Sequence, residues 1–153
     1  MAETIGSLCD KLTIIKLKQW HADDAASLQS LNHQERQLTA EIDDYVHKAI
    51  SGNIPREQLT FAANKIYKKE GNWVAAATGG IGEIFAQLAH VNCALWHQQE
   101  KVYEFEKVPV AEKDRVVKQL ALLNLERNQC IDGIDKTFVA LIASVADASD
   151  TGK

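Results

Sequence analysis

Carboxylate, imidazole and thiol side chains recur along one flank of the stretch from Glu83 to Glu104. Glu83, His90, Cys93, His97, Glu100 and Glu104 fall at heptad-like steps, which puts them on one side of a helix. Such groups bind transition metals, and helical bundles build metal sites from ligands on facing helices. His90, His97 and Glu100, completed by acids of neighbouring helices, are the candidate metal ligands. Carboxylate-bridged di-metal bundles, however, use Glu-x-x-His pairs on two helices. The nearest pairs here are Asp44-x-x-His47 and the reversed His97-x-x-Glu100. A solvated or interfacial histidine face explains the same residues with fewer assumptions.

A second set stands out because it is polar in apolar surroundings. Asn124 and Arg127 fall among the apolar positions of the last long segment, and Glu35 among those of the second. A buried guanidinium must be paired, since an isolated charge in a low-dielectric core costs several kcal/mol. Glu35, Glu100 and Asp135 are the carboxylates considered as its partner. One reading is an ion-pair layer that fixes helix register. The other is a pocket in which Arg127 and Asn124 meet an anionic or sugar-like ligand, with Trp96 or Trp20 as a wall.

Other patterns carry less. Glu41-x-x-Asp44 and Asp132-x-x-Asp135 have the spacing of magnesium-binding acids in all-helical pyrophosphohydrolases, but the Glu-x-x-Glu element that completes such a cluster is missing. Lys65, Lys68 and Lys69 beside Tyr67 precede the glycine-rich Thr78-Gly79-Gly80-Ile81-Gly82. Glycines before a helix can cradle phosphate, yet no strand precedes them and no Gly-Lys-Ser/Thr follows, so a hinge is the simpler reading. No Gly-x-Ser-x-Gly, Cys/His nucleophile pair or zinc-finger spacing occurs.

The elements that must position these residues read as helices. From Ile5 to Trp20, apolar residues at three- and four-residue steps form one stripe, with Thr4 as N-cap and a break at His21-Ala22-Asp23-Asp24. A second stripe runs through Leu28, Leu31, Leu38, Ile42, Tyr45 and Ala49 and is closed by Gly52 and Pro55. Leu59, Ala62, Ala63 and Ile66 predict a short helix that Gly71 ends. Ile84, Phe85, Leu88, Val91, Leu95 and Val102 mark a long third segment that Pro109 closes. Val116, Leu120, Leu123, Ile131, Ile134, Phe138, Leu141 and Val145 mark the last.

Four long amphipathic segments with short connections predict an all-α, antiparallel four-helix bundle with one additional short helix, a single domain over residues 1–146 and a flexible tail over 147–153. Leu12, Leu38, Leu88, Leu95, Ile134 and Phe138 are its expected core. The first and third segments have second faces that are semi-apolar, Asp10, Ile14, Leu17 and His21 on one and Ala86, His90, Cys93 and His97 on the other. A helix apolar on two sides is central or shared with another molecule, so a homodimer through these faces is expected. Both segments also finish in Trp-His, at Trp20-His21 and Trp96-His97, but the remaining helices do not superpose in register, so an internal duplication is not preferred.

Composition narrows the function classes. The chain has 153 residues, 46% hydrophobic and 25% charged, with only two prolines and eight glycines, which suits long helices rather than strands with frequent turns. A net charge of −4 argues against nucleic acid as a partner. Cys9, Cys93 and Cys130 cannot all pair and lie far apart, which fits a reducing compartment. The beginning of the sequence, with Glu3 and no uninterrupted apolar stretch, reads as neither signal peptide nor anchor, so no transmembrane segment and a cytoplasmic location are expected.

With these residues in view, the chain resembles a family of small helical bacterial proteins, domain-of-unknown-function family number 4254. The resemblance rests on LCDKLTIIKLKQWH, NKIYKKEGN, LAHVNCALWHQQEKV and LNLERNQCIDGID, and spans most of the chain. It implies an accessory role beside glycosyltransferases for lipopolysaccharide or other surface polysaccharides, with a glycosyltransferase or other protein as partner, and it brings no activity with it. The expectation is therefore a helical accessory protein with a ligand site or polar layer of Trp96, His97, Glu100, Asn124 and Arg127, and no cofactor. The competing class is a metal-dependent bundle enzyme, a hydrolase or di-metal type, using His90, His97 and Glu100.

Overall fold

The computed structural model describes residues 2–61 and 74–150. Among them are four α-helices, α1 (Ile5–His21), α2 (Ala25–Ile50), α3 (Ile81–Tyr103) and α4 (Val110–Asp150), two short 3-10 turns at Arg56–Gln58 and Phe105–Lys107, and no strand. The short helix expected beyond Leu59, and the Lys65, Tyr67, Lys68 and Lys69 patch with it, lie outside the described residues.

Local chemistry sets the helix ends. Thr4 caps α1 as expected, accepting from the Ser7 N–H at 3.2 Å, while Ser7 Oγ accepts from the Thr4 N–H at 2.8 Å. This reciprocal arrangement satisfies two donors that the first turn leaves orphaned. Asp24 caps α2 by accepting from the Ser27 N–H at 2.7 Å, and that hydrogen bonding holds its carboxyl below the usual range. Gly52, at φ +75°, follows the end of α2 in a conformation that only glycine adopts freely. At α3 the Glu83 carboxylate reaches back to the Gly80 N–H at 2.8 Å. Glu83 is therefore a helix cap, and the glycine run before it starts α3 with a carboxylate already where a bound phosphate would sit.

Side-chain pairings fix the topology. Lys16 and Gln19 on α1 meet Glu35 on α2, so the chain reverses between them. Gly6 meets Asp135 and Asp10 meets Arg127, so α4 also runs against α1. Asp10 meets Asn92 and His21 meets Trp96, so α1 and α3 run in the same direction. This is the up-down-up-down bundle.

Its core joins Ile5, Leu59, Leu88, Ile134 and Phe138, with Ala49 the one fully buried residue of α2. Leu88, Ile134 and Phe138 are buried as expected, whereas Leu12, Leu38 and Leu95 are only half-buried. Near the end of α4 the buried stripe steps from Phe138 to Ile142, leaving Leu141 and Val145 exposed. Helix α4 also continues through Asp150, past the boundary expected at residue 147, because neither Gly nor Pro interrupts it there. No helix among the described residues is long and apolar enough to cross a membrane.

Candidate functional site

At mid-height the bundle holds a polar network inside apolar packing. Asp10 on α1 is 4% exposed. Its carboxylate accepts from Arg127 of α4 twice, from Nε at 2.8 Å and from Nη2. The same Oδ1 accepts from Asn92 Nδ2 of α3 at 2.9 Å. Asn92 also donates to Thr13 Oγ1 at 2.7 Å, and the Thr13 hydroxyl in turn donates to the Asp10 main-chain carbonyl at 2.8 Å. Both neighbours of the Asn92 amide accept, so its nitrogen must face them, and Asn92 Oδ1 is left without a partner among the described residues. Asp10 favours the charged guanidinium and raises the Arg127 pKa despite the cost of burial.

One carboxylate thus ties three helices together through bonds to charged groups, which are stronger than neutral ones. Arg127 is paired as a residue on an apolar stripe must be, but with Asp10 and not with Glu35, Glu100 or Asp135. Glu35 is taken up by Lys16 at 3.0 Å and Gln19 at 2.7 Å. Asn124 turns its amide onto its own helix, donating to the Leu120 carbonyl at 3.1 Å.

Trp96, His97 and Glu100 form a separate group. Trp96 stacks on His21 with ring centroids 4.7 Å apart and donates to Glu100 Oε1 at 3.0 Å. Glu100 also lies 3.5 Å from His97 Nδ1, both side chains being well exposed. Among the described residues no hydrogen bond or ion pair joins this group to Arg127, so the polar layer read from the sequence is two clusters. His90 faces elsewhere, into a groove between α3 and α4 lined by Gln98, Lys101 and Arg115. No three His, Cys, Asp or Glu side chains among the described residues gather closely enough to hold a metal ion.

A second buried carboxylate, Asp135, docks the start of α1 onto α4. Its Oδ1 accepts from the Gly6 N–H at 2.7 Å, while Oδ2 and the Tyr45 hydroxyl have no partner among the described residues. Burial raises the Tyr45 pKa, and Asp135 adds to the effect. Cys9 is pushed up to about 11, chiefly by burial, with Asp135 and Asp10 contributing. Cys130 is raised by burial and by Glu126, whereas Cys93 is exposed. Since the thiolate is the reactive form, a thiol reagent is expected to modify Cys93 well before the other two in the folded protein. Mapping adducts by mass spectrometry over time checks this, and equal rates at Cys9 and Cys93 would contradict the packing.

An apolar groove of about 420 Å³ opens between α1 and α3, lined by Leu12, Leu17, Trp20, Phe85, Ala89 and Cys93. Trp20 is 86% exposed beside it. Compared with known proteins, the chain matches no family model, no curated sequence and no solved structure.

Proposed function

We propose that this protein is a helical accessory protein that acts by binding, as a homodimer paired through the α1–α3 face. The observation that carries the proposal is Trp20, a large aromatic side chain left 86% exposed beside an apolar groove. Aromatic side chains hold on the order of 200 Å² of surface each and dominate interface energetics. The groove contains one cation, Lys16, whose ammonium is already paired with Glu35, so two copies can meet without unbalanced like charge. A two-fold axis beside parallel helices makes such a face complementary to itself, each Trp20 reaching the other copy's groove.

The resemblance of its motifs supports placing this accessory role in bacterial surface-polysaccharide glycosyl transfer, in the cytoplasm and with a glycosyltransferase as the further partner. Sedimentation equilibrium at tens of micromolar is expected to give the mass of two chains. Trp20→Ala is expected to weaken association by about tenfold or more, the loss usual for an aromatic anchor. Cys93 modification should slow as protein concentration rises. A single-chain mass at these concentrations would remove the dimer.

A further inference from the structure

On the opposite flank of α1 a second cleft, of about 420 Å³, lies between α1, α2 and α4. We infer that this cleft binds a small polyhydroxylated molecule carrying a single oxyanion, of the size of a sugar phosphate or sugar acid. The volume falls within the few hundred cubic ångströms of small-molecule sites.

Arg127 supplies the anchor. Asp10 engages its Nε and Nη2 from the buried side, and the side chain remains 32% exposed where it lines the cleft. A guanidinium carries five N–H donors, so the group is fixed in plane by Asp10 and keeps donors for a ligand. Its orientation is settled before anything binds, which lowers the entropy lost on binding.

Lys18 supplies the charge. Lys11 is held by Glu3 at 2.6 Å and Lys16 by Glu35 at 3.0 Å, whereas Lys18 has no ion pair among the described residues and lines the same cleft. Because Asp10 already balances Arg127, Lys18 is the charge left to an incoming oxyanion.

The α2 wall sets the rest of the ligand. Gln34 and Gln37 present amides, each able to donate and accept, and Glu41 presents a carboxylate. Hydroxyl groups match all three. The Glu41 charge repels a second anionic group, so the body of the ligand is neutral and polyanions are rejected. Leu38 and Ile14 give an apolar surface for one face of a ring.

The test is calorimetric titration of the full chain with glucose 1-phosphate and glucuronate, against inorganic phosphate and glucose. At least one anionic sugar is expected to bind about tenfold more tightly than either control. The one preferred tells a phosphate ligand from a carboxylate one. Lys18→Ala and Gln37→Ala, both outside the buried network, should each weaken that binding about fivefold or more, while Lys101→Ala, in the α3–α4 groove, should leave it unchanged. Neither anionic sugar binding more tightly than glucose, inorganic phosphate binding as well as the preferred anionic sugar, or a Lys18→Ala chain that binds that sugar normally would overturn the inference. The dimer reading is decided separately, since Trp20 and this cleft lie on opposite sides of α1.

Discussion

Arg127→Met is expected to cost about 3–5 kcal/mol of folding stability, because it strands the Asp10 carboxylate without its counter-charge. The Asp10 side chain is only 6% exposed, and Asn92 is the other side chain that donates to its carboxylate among the described residues. Removing both charges together should recover most of the loss. The double variant Asp10→Asn with Arg127→Met is expected to be within about 1–2 kcal/mol of the parent, since replacing a whole buried pair is often close to neutral. Glu100→Gln should give no such recovery, because Glu100 bonds to Trp96 and His97 instead. Urea unfolding of the single and double variants measures the coupling directly. A loss below about 1 kcal/mol for Arg127→Met, or rescue by Glu100→Gln, would contradict the Asp10 pairing.

The need for a partner to Arg127 was legible in the sequence, whereas the partner's identity was not. Apolar periodicity places Arg127 on the buried side of its helix from sequence alone, and electrostatics then demands a carboxylate. Choosing among carboxylates requires the relative height of α1 and α4, which no single-helix pattern contains. That height is set where Gly6 touches α4. A Cβ at Gly6 would collide with the Ile131 carbonyl oxygen and come within 2.9 Å of Asp135 Oδ1. The missing side chain lets α1 approach closely enough for Asp135 to reach the Gly6 N–H. Asp10, one turn further on, then arrives opposite Arg127.

Asn92 was the signal available and missed. It follows Leu88 by one turn, on the buried stripe of α3, and a polar residue in that register must be hydrogen-bonded. The histidine and cysteine flank of the same helix has more varied chemistry, but it faces outward: His90, Cys93 and His97 are all exposed. The paired Trp-His endings, by contrast, have a spatial meaning. Because α1 and α3 run in the same direction, Trp96, about two turns before the end of α3, comes level with the end of α1, and His21 stacks on it. Helix number and order follow from periodicity and from caps such as Thr4, while the depth of burial along each stripe depends on which neighbour it meets.

The second large effect expected is a loss of stability with rising pH that originates at Asp135. This carboxyl is fully buried, and its ordinary value of 3.8 is pushed up to about 6. Burial is the main cause; the Gly6 N–H and the Thr4 hydroxyl oppose it, and Asp132 adds to it. Because the folded chain holds this proton more tightly than the unfolded one, the contribution to stability is fully present below about pH 4 and is lost as pH rises through about 6. A shift of this size corresponds to a fall of order 3 kcal/mol across the interval. Asp135→Asn keeps a carbonyl oxygen to accept from Gly6 and cannot ionise. The stability of that variant relative to the parent is therefore expected to climb by about that amount between pH 4 and 8. Groups common to both chains cancel in the difference. Denaturant unfolding of both proteins across this range gives the curve, and a difference that stays flat with pH would show that Asp135 is ionised in the folded chain throughout.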